Sequence, residues 1–303
     1  MIKGADYLVA GASAVAKKYN VSEIVIGLTI VSFGTSAPEL LVNIIASFQG
    51  ANDLAIGNIL GSNISNTLLI LGVSAIIYPL VVGKGTVYRE IPFSLFSVVL
   101  LWIFVNDNFF KGEKSLLITR FDAIILLAFF LVFLYYTFGT AKTKGDELKI
   151  ETYSTWVSAA MILAGMVGMS LGAKWIVDGG IVLGERFGMS QAFIGLTVVA
   201  LGTSLPELAT SALAAYRKNS DIAIGNIVGS NIFNVLWILG FSALIKPLHF
   251  SSALNSDIYI VLISTIILFL FMFIGKKNIL QRWQGAVLVL MYVIYVGYLF
   301  VRG

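Results

Sequence analysis

The segment IGLTIVSFGTSAPEL occupies residues 26–40, and a near copy, IGLTVVALGTSLPEL, occupies residues 194–208. The two copies are 168 residues apart. Aligned at this spacing without a gap, residues 22–80 and 190–248 share 33 identities in 59 positions. The shared residues include Gly, Asn, Ser, Pro and Glu at fixed offsets, which chance similarity between apolar helices does not produce. The chain therefore consists of two related halves.

Composition indicates a membrane protein. Of the 303 residues, 58% are hydrophobic and 12% are charged, and soluble domains usually carry about twice that share of charge. Apolar runs recur along the whole chain and fit helices that cross a hydrocarbon core of roughly 30 Å. We predict an all-α integral membrane protein with ten transmembrane helices, five in each half. The ten predicted helices are residues 2–18, 23–48, 53–78, 91–106, 120–140, 153–186, 190–216, 221–246, 255–275 and 281–301.

An odd number of helices in each half makes the halves enter the membrane from opposite sides, as in the inverted repeats of secondary transporters. The first half covers residues 1–141, a linker covers 142–151, and the second half covers 152–303. Loops on the linker side hold 12 Lys and Arg residues, and loops on the other side hold 6. The positive-inside rule places the linker in the cytoplasm and both termini outside the cell membrane.

Each copy of the first motif places a proline and a glutamate inside an apolar helix. Pro38 and Pro206 lack an N–H and crowd the carbonyl four residues earlier, so backbone carbonyls become available. At membrane depth, such carbonyls are tolerated where they line a cavity or meet a ligand. Glu39 and Glu207 would be costly as isolated ions in lipid. Opposed across the repeat axis, they supply two negative charges that one Ca²⁺ would neutralise.

Polar side chains follow helical stripes in both motifs. Spacings of three, four and seven residues place them on one face of a helix. The stripes contain Ser32, Thr35, Ser36, Glu39 and Asn43; Thr203, Ser204, Glu207 and Ser211; Asn58, Ser62 and Asn66; and Asn226, Ser230 and Asn234. Four such stripes can converge on one central site whose oxygens suit Ca²⁺ or Na⁺. Ser, Thr and Asn also join membrane helices by hydrogen bonds, so a packing role stays open for part of the set.

The GTSAPE and GTSLPE segments, each followed by GNI(L/V)GSNI, resemble the two alpha repeats of the sodium/calcium exchanger family of the cation/Ca²⁺ exchanger superfamily, in its prokaryotic form. The repeats cover residues 26–72 and 194–240. The resemblance implies exchange of Na⁺ for Ca²⁺ by alternating access, in which the first and sixth helices slide over a core of eight. The ion ligands that it implies are Glu39, Glu207, Thr35, Thr203, Ser36, Ser204, Asn66, Asn234, Ser62 and Ser230.

Two features depart from the pattern of the family. Asn66 and Asn234 are both amides, whereas some relatives carry Asp at the second position, and the potassium-dependent branch resembles that Asp form. We therefore expect independence of potassium. Gly4 aligns with Gly172, so residues 156–168 have no counterpart before Met1. We expect the first helix to be truncated and the native chain to begin earlier.

Other functions follow less readily from these residues. The absence of cysteine and the single histidine exclude thiol nucleophiles and Cys/His zinc sites. We expect a transporter and not an enzyme, with Ca²⁺ and Na⁺ as transported ions, no cofactor, the lipid bilayer as surroundings and no binding to nucleic acid. Exchange of Ca²⁺ or another cation for protons, a cation channel and a non-transporting membrane scaffold remain open as alternatives.

A few charged residues outside the stripes have structural explanations. Asp53 and Asp221 stand where helices begin, and we expect them to cap free N–H groups. Lys3–Asp6 and Lys174–Asp178 have the spacing of ion pairs along one helix.

Overall fold

The computed structural model describes residues 1–106, 116–139, 153–186 and 200–302. In this part the chain is almost wholly helical. The helices are α1 (Ile2–Tyr19), α2 (Glu23–Thr35), α3 (Ala37–Gln49), α4 (Asn52–Ile77), α5 (Thr86–Val105), α6 (Arg120–Gly139), α7 (Thr155–Arg186), α8 (Ala200–Thr203), α9 (Leu205–Tyr216), α10 (Ser220–Ile245), α11 (Ser252–Phe271) and α12 (Arg282–Arg302). The strands have two residues each: β1 (Leu80–Val81), β2 (Leu117–Ile118), β3 (Leu248–His249) and β4 (Ile279–Leu280).

Helix length and hydropathy agree with a membrane protein. Among the described residues, seven helices are long and apolar enough to cross a membrane, or eight if the bent pair α2 and α3 forms one span. The prediction of an all-α membrane protein is therefore confirmed at this level. The predicted linker at 142–151 and residues 190–199 of the seventh predicted helix lie outside the described part.

Helices α4 and α10 form the centre of the bundle. In their most apolar windows, 78% and 83% of the residues are buried, against 33% in both α6 and α12. Close backbone contact explains part of this burial. A side-chain carbon added at Gly225 of α10 would lie 2.9 Å from the carbonyl oxygen of Ile24, and one added at Gly229 would lie 2.8 Å from that of Leu28. Small residues thus let α10 lie directly against α2.

The two halves contact each other at both ends of the bundle. Strand β1 pairs with β4, and β2 pairs with β3, both antiparallel. Each ribbon takes one strand from the first half and one from the second. Helix α1 packs along α7, where Gly4 and Gly165 bring the two backbones together. The halves therefore form one interlocked bundle.

Among the described residues, four helices contain a π-helical segment, in which the backbone hydrogen bonds span five residues. These segments are Gly27–Val31 in α2, Ser65–Ile70 in α4, Thr86–Glu90 in α5 and Phe233–Leu239 in α10. The segments of α4 and α10 begin at positions 168 residues apart, each one residue before an asparagine of the predicted site. Such segments are frequent at functional sites, because they change the direction in which side chains point.

Candidate functional site

A helix break lies at the centre of each Gly-Thr-Ser-x-Pro-Glu motif. Helix α2 ends at Thr35, α3 begins at Ala37, and the two axes differ by 48°. The residue between them, Ser36, has φ −83° and ψ 8°, and Pro38 lies in the first turn of α3, where a missing N–H costs no hydrogen bond. Ser204, between α8 and α9, has nearly the same conformation, with φ −84° and ψ 2°. Both glutamates follow in the first helical turn, which favours negative charge.

The carboxylate of Glu39 is fully buried. Its Oε1 accepts a hydrogen bond from Ser62 Oγ at 3.1 Å and one from Ser204 Oγ at 3.5 Å. The two hydroxyls lie 2.6 Å from each other. Ser62 belongs to the same half as Glu39, and Ser204 belongs to the other half, so both halves build the surroundings of this carboxylate.

Glu207 has the corresponding surroundings and is 1% exposed. Its Oε1 accepts a hydrogen bond from Ser36 Oγ at 2.9 Å and one from Ser230 Oγ at 3.4 Å. Ser36 Oγ and Ser230 Oγ lie 3.1 Å apart. Each half therefore contributes one serine to the carboxylate of the other half. Each carboxylate accepts one hydrogen bond from a serine of the first half and one from a serine of the second half.

The threonines of the motif contact the central helices in the same crossed manner. Thr35 Oγ1 donates to Asn226 Oδ1 at 3.0 Å, and Thr203 Oγ1 donates to Asn58 Oδ1 at 3.2 Å. Both bonds connect a broken helix of one half to α4 or α10 of the other. The hydrogen bonds tie the broken helices to the centre of the bundle at the level of the glutamates.

Four asparagines continue the cluster along α4 and α10. Asn66 Nδ2 donates to Asn231 Oδ1 at 3.1 Å, and Asn234 Nδ2 donates to Asn63 Oδ1 at 2.9 Å. Sequence reasoning placed Asn66 and Asn234 in the site and missed Asn63 and Asn231. The missed pair does not belong to the stripe of every fourth residue, and its only signal was that the repeat preserves it.

Four oxygens at this site have no hydrogen-bond partner among the described residues. They are Oε2 of Glu39, Oε2 of Glu207, Oδ1 of Asn66 and Oδ1 of Asn234, and all four are buried. Buried acceptors without a partner cost free energy and call for an explanation such as a bound ion. Carboxylate and amide oxygens are ligands that hard cations prefer. These four oxygens therefore suit the binding of a hard cation such as Ca²⁺ or Na⁺.

The structure brings all ten residues of the predicted ligand set into this one buried cluster. Their roles as ion ligands stay predictions. The aspartates at helix starts lie away from it. Asp53 and Asp221 fall in the first turns of α4 and α10, not at the cap positions that we predicted. The cap of α10 is Asn219, whose side-chain oxygen accepts a hydrogen bond from the Ile222 N–H at 3.1 Å, because a capping side chain must precede the helix.

One of the two predicted helix-side ion pairs forms. Lys174 Nζ and Asp178 Oδ2 are 2.6 Å apart on α7, as predicted. The prediction of a Lys3–Asp6 pair is wrong, since Asp6 pairs with Arg217 at the end of α9. The long Arg217 side chain reaches Asp6 from a neighbouring helix, a contact that spacing along α1 does not reveal.

The fold and this buried, doubly acidic centre define a membrane transport protein for cations. The chain belongs to the sodium/calcium exchanger protein family, whose sequence profile matches residues 1–139 and 157–301. The sodium/calcium exchanger MaX1 of Methanosarcina acetivorans is 33% identical over 344 residues, with 99% of this chain and 95% of that protein covered. The inner membrane protein YrbG of Escherichia coli is 35% identical over 285 residues, with 89% and 84% covered.

A solved structure agrees with the same family. The sodium-calcium exchanger NCX_Mj superposes with a TM-score of 0.82 at 33% identity, and the match covers 98% of this chain and 94% of that chain. The resemblance inferred from the two motifs is thereby confirmed. The chain is a membrane protein of the cation/Ca²⁺ exchanger type.

Proposed function

We propose that the protein is a secondary antiporter that exchanges Na⁺ for Ca²⁺ across the cell membrane by alternating access. The observation that carries this proposal is the set of four buried oxygens that have no hydrogen-bond partner in the described part of the chain, two of them on carboxylates. Two carboxylates supply the charge that one Ca²⁺ balances, and Ca²⁺ takes six to eight oxygen ligands. The serine hydroxyls that bond the two carboxylates offer further oxygens for such a shell.

Competition of the two ions for one site would couple Na⁺ transport to Ca²⁺ transport. The same carboxylate, amide and hydroxyl oxygens can hold Na⁺, so that occupancy by one ion excludes the other. The proposed ligands are the ten residues predicted from the sequence, with Glu39 and Glu207 as the charged pair. Both halves contribute to each carboxylate's surroundings, so a movement of one half against the other would alter the whole site at once.

The proposed architecture is ten transmembrane helices in two inverted five-helix repeats, covering residues 1–141 and 152–303 and joined by the linker 142–151. The two pairs of antiparallel strands support this architecture. Strands β1 and β4 come from loops that the charge distribution places on the cytoplasmic side, and β2 and β3 come from loops on the other side. In this arrangement, the linker is cytoplasmic and both termini are outside.

Transport by the purified chain in sealed vesicles tests the proposed exchange. Vesicles loaded with Na⁺ and diluted into Na⁺-free buffer should take up radioactive Ca²⁺, and vesicles with equal Na⁺ on both sides should not. Uptake that follows a pH gradient without Na⁺ would instead show Ca²⁺/H⁺ exchange. Ca²⁺ flux that needs no opposing ion gradient would show a channel.

Labelling of single cysteines tests the proposed orientation, because the chain has no cysteine of its own. Lys246 and Lys277 are both exposed and lie beside β3 and β4. In intact cells, a membrane-impermeant maleimide should label Lys246→Cys, whereas Lys277→Cys should react only after the membrane is opened. Labelling of both variants from outside would contradict the inverted repeat.

A further inference from the structure

Two asparagines outside the predicted ligand set contact the two asparagines inside it. Asn63 and Asn231 are repeat counterparts, 0% and 4% exposed. Asn63 Oδ1 accepts the hydrogen bond from Asn234 Nδ2, and Asn231 Oδ1 accepts the one from Asn66 Nδ2. Each bond passes from one half to the other, between α4 and α10.

The backbone carbonyl behind Asn63 fixes the direction of the hydrogen bond between Asn63 and Asn234. Asn63 Nδ2 donates to the backbone carbonyl of Asn231 at 3.4 Å, and a carbonyl can only accept. The Asn63 amide must therefore direct its oxygen toward Asn234, whose NH₂ group donates the hydrogen bond. Asn231 Nδ2 donates to Thr67 Oγ1 at 2.9 Å, and its Oδ1 faces Asn66. A hydroxyl can donate as well as accept, so this second contact permits the same orientation without requiring it.

The orientation of the second pair of amides follows from the first. Because Asn66 and Asn234 direct Nδ2 toward Asn231 and Asn63, their Oδ1 atoms point away from these partners. Both Oδ1 atoms are buried and unpartnered among the described residues. An amide free to rotate would present its N–H₂ group, which has no lone pair to offer a cation, for part of the time.

We propose that Asn63 and Asn231 are positioning residues, which hold the side-chain oxygens of Asn234 and Asn66 toward the transported cation. This inference rests on the proposed exchange function. Both asparagines also join α4 to α10, so a purely structural role has to be separated from a positioning role. The separation is possible because positioning by Asn63 acts through Asn234 alone, whereas loss of helix packing would act regardless of the residue at 234.

A double-mutant cycle measures this dependence. Na⁺-driven Ca²⁺ uptake into vesicles would give KM and kcat for Asn63→Ala, Asn234→Ala and the double variant. We expect Asn63→Ala to raise KM for Ca²⁺ about tenfold and to change kcat less than about twofold. The double variant should have the KM of Asn234→Ala alone, because the positioned group is already missing. Asn63→Ala combined with Asn66→Ala is the matched control, and there the two effects on KM should multiply.

The outcomes separate this inference from the proposed function. An unchanged KM in Asn63→Ala, or effects that multiply in the Asn63→Ala/Asn234→Ala variant, would overturn the positioning role while exchange itself persists. Absence of Na⁺-driven uptake by the unsubstituted chain would overturn the proposed function instead. If Asn63→Ala does not give folded protein, Asn231→Ala with Asn66→Ala provides the same cycle in the other pair, with Asn234→Ala as its control.

Discussion

The two halves of the site share the types of their predicted ligand residues and differ in the residues that contact them. In the second half, Ser211 Oγ accepts a hydrogen bond from Asn226 Nδ2 at 2.9 Å, and the same Nδ2 lies 3.5 Å from the carbonyl oxygen of Glu207. In the first half, Asn43 stands at the position of Ser211 and donates to the carbonyl oxygen of its own helix at residue 39. Asn43 Oδ1 and Asn58 Nδ2 have no partner among the described residues.

The two serines that bond the carboxylate of the other half, Ser36 and Ser204, also differ in their distances to it. Ser36 lies 2.9 Å from Glu207, whereas Ser204 lies 3.5 Å from Glu39 and only 2.6 Å from Ser62. The carboxylate of Glu207 therefore has the shorter hydrogen bond to the serine of the other half, and that of Glu39 has the longer one. A repeat that preserves its ligands and varies their support can offer two inequivalent positions to ions.

The largest effect should come from removal of either charge. Glu207→Gln and Glu39→Gln each leave one carboxylate to balance a divalent ion, and removal of one partner of a buried charge interaction costs several kcal/mol. We expect each variant to lose at least about 100-fold in Na⁺-driven Ca²⁺ uptake. Initial rates in vesicles, normalised to the amount of reconstituted protein, measure this loss.

The matched control removes a carboxylate elsewhere. Asp178→Asn breaks only the exposed pair with Lys174, and such pairs contribute little. Its uptake should equal that of the unsubstituted chain. Persistent Ca²⁺ exchange in Glu207→Gln would contradict the assignment of the site, and loss in only one of the two glutamine variants would show that a single carboxylate carries the divalent ion.

A smaller effect should distinguish the two serines. Ser36→Ala removes the shorter hydrogen bond to a carboxylate, and we expect KM for Ca²⁺ to rise about tenfold. Ser204→Ala removes the longer one, and we expect a rise of about threefold. Uptake rates over a range of Ca²⁺ concentrations give both values. Equal effects would mean that the difference in the two distances has no consequence for binding.

The sequence was sufficient to find the buried polar residues around the helix breaks because they lie within a repeated motif. Glu39 and Glu207 occupy matching positions, and stripe periodicity places the serine, threonine and asparagine side chains on faces that can meet. The choice of ten ligands among them came from the resemblance to the exchanger family. The prolines predicted carbonyls freed from helical hydrogen bonds, but residues 23–48 and 190–216 were each predicted as one helix, and the breaks at Ser36 and Ser204 were not predicted. The count of ten transmembrane helices stays a prediction, because seven or eight helices of the described residues are long and apolar enough to cross a membrane.

Features that depend on contacts between helices could not be predicted in this way. Asn63 and Asn231 follow directly after ligand serines and would point elsewhere in a regular helix, so periodicity excludes them. Their importance emerges only when α4 lies beside α10. Helix α5 was predicted to begin at residue 91, where a near-continuous apolar run begins. It begins at Thr86, since a π-helical turn precedes this run.

The smallest effect should come from the residues that support the ligands. Ser211→Ala removes the hydroxyl that accepts a hydrogen bond from Asn226 Nδ2. Asn226 Oδ1 in turn accepts a hydrogen bond from Thr35 Oγ1. We expect KM for Ca²⁺ to rise about threefold. Asn43→Ala removes only a bond to a carbonyl within its own helix, and we expect KM to change less than about twofold. Uptake rates of the two variants, measured in parallel over a range of Ca²⁺ concentrations, give the two KM values to be compared. A larger effect of Asn43→Ala would show that the first half depends on its support more than the second, against the order of the distances.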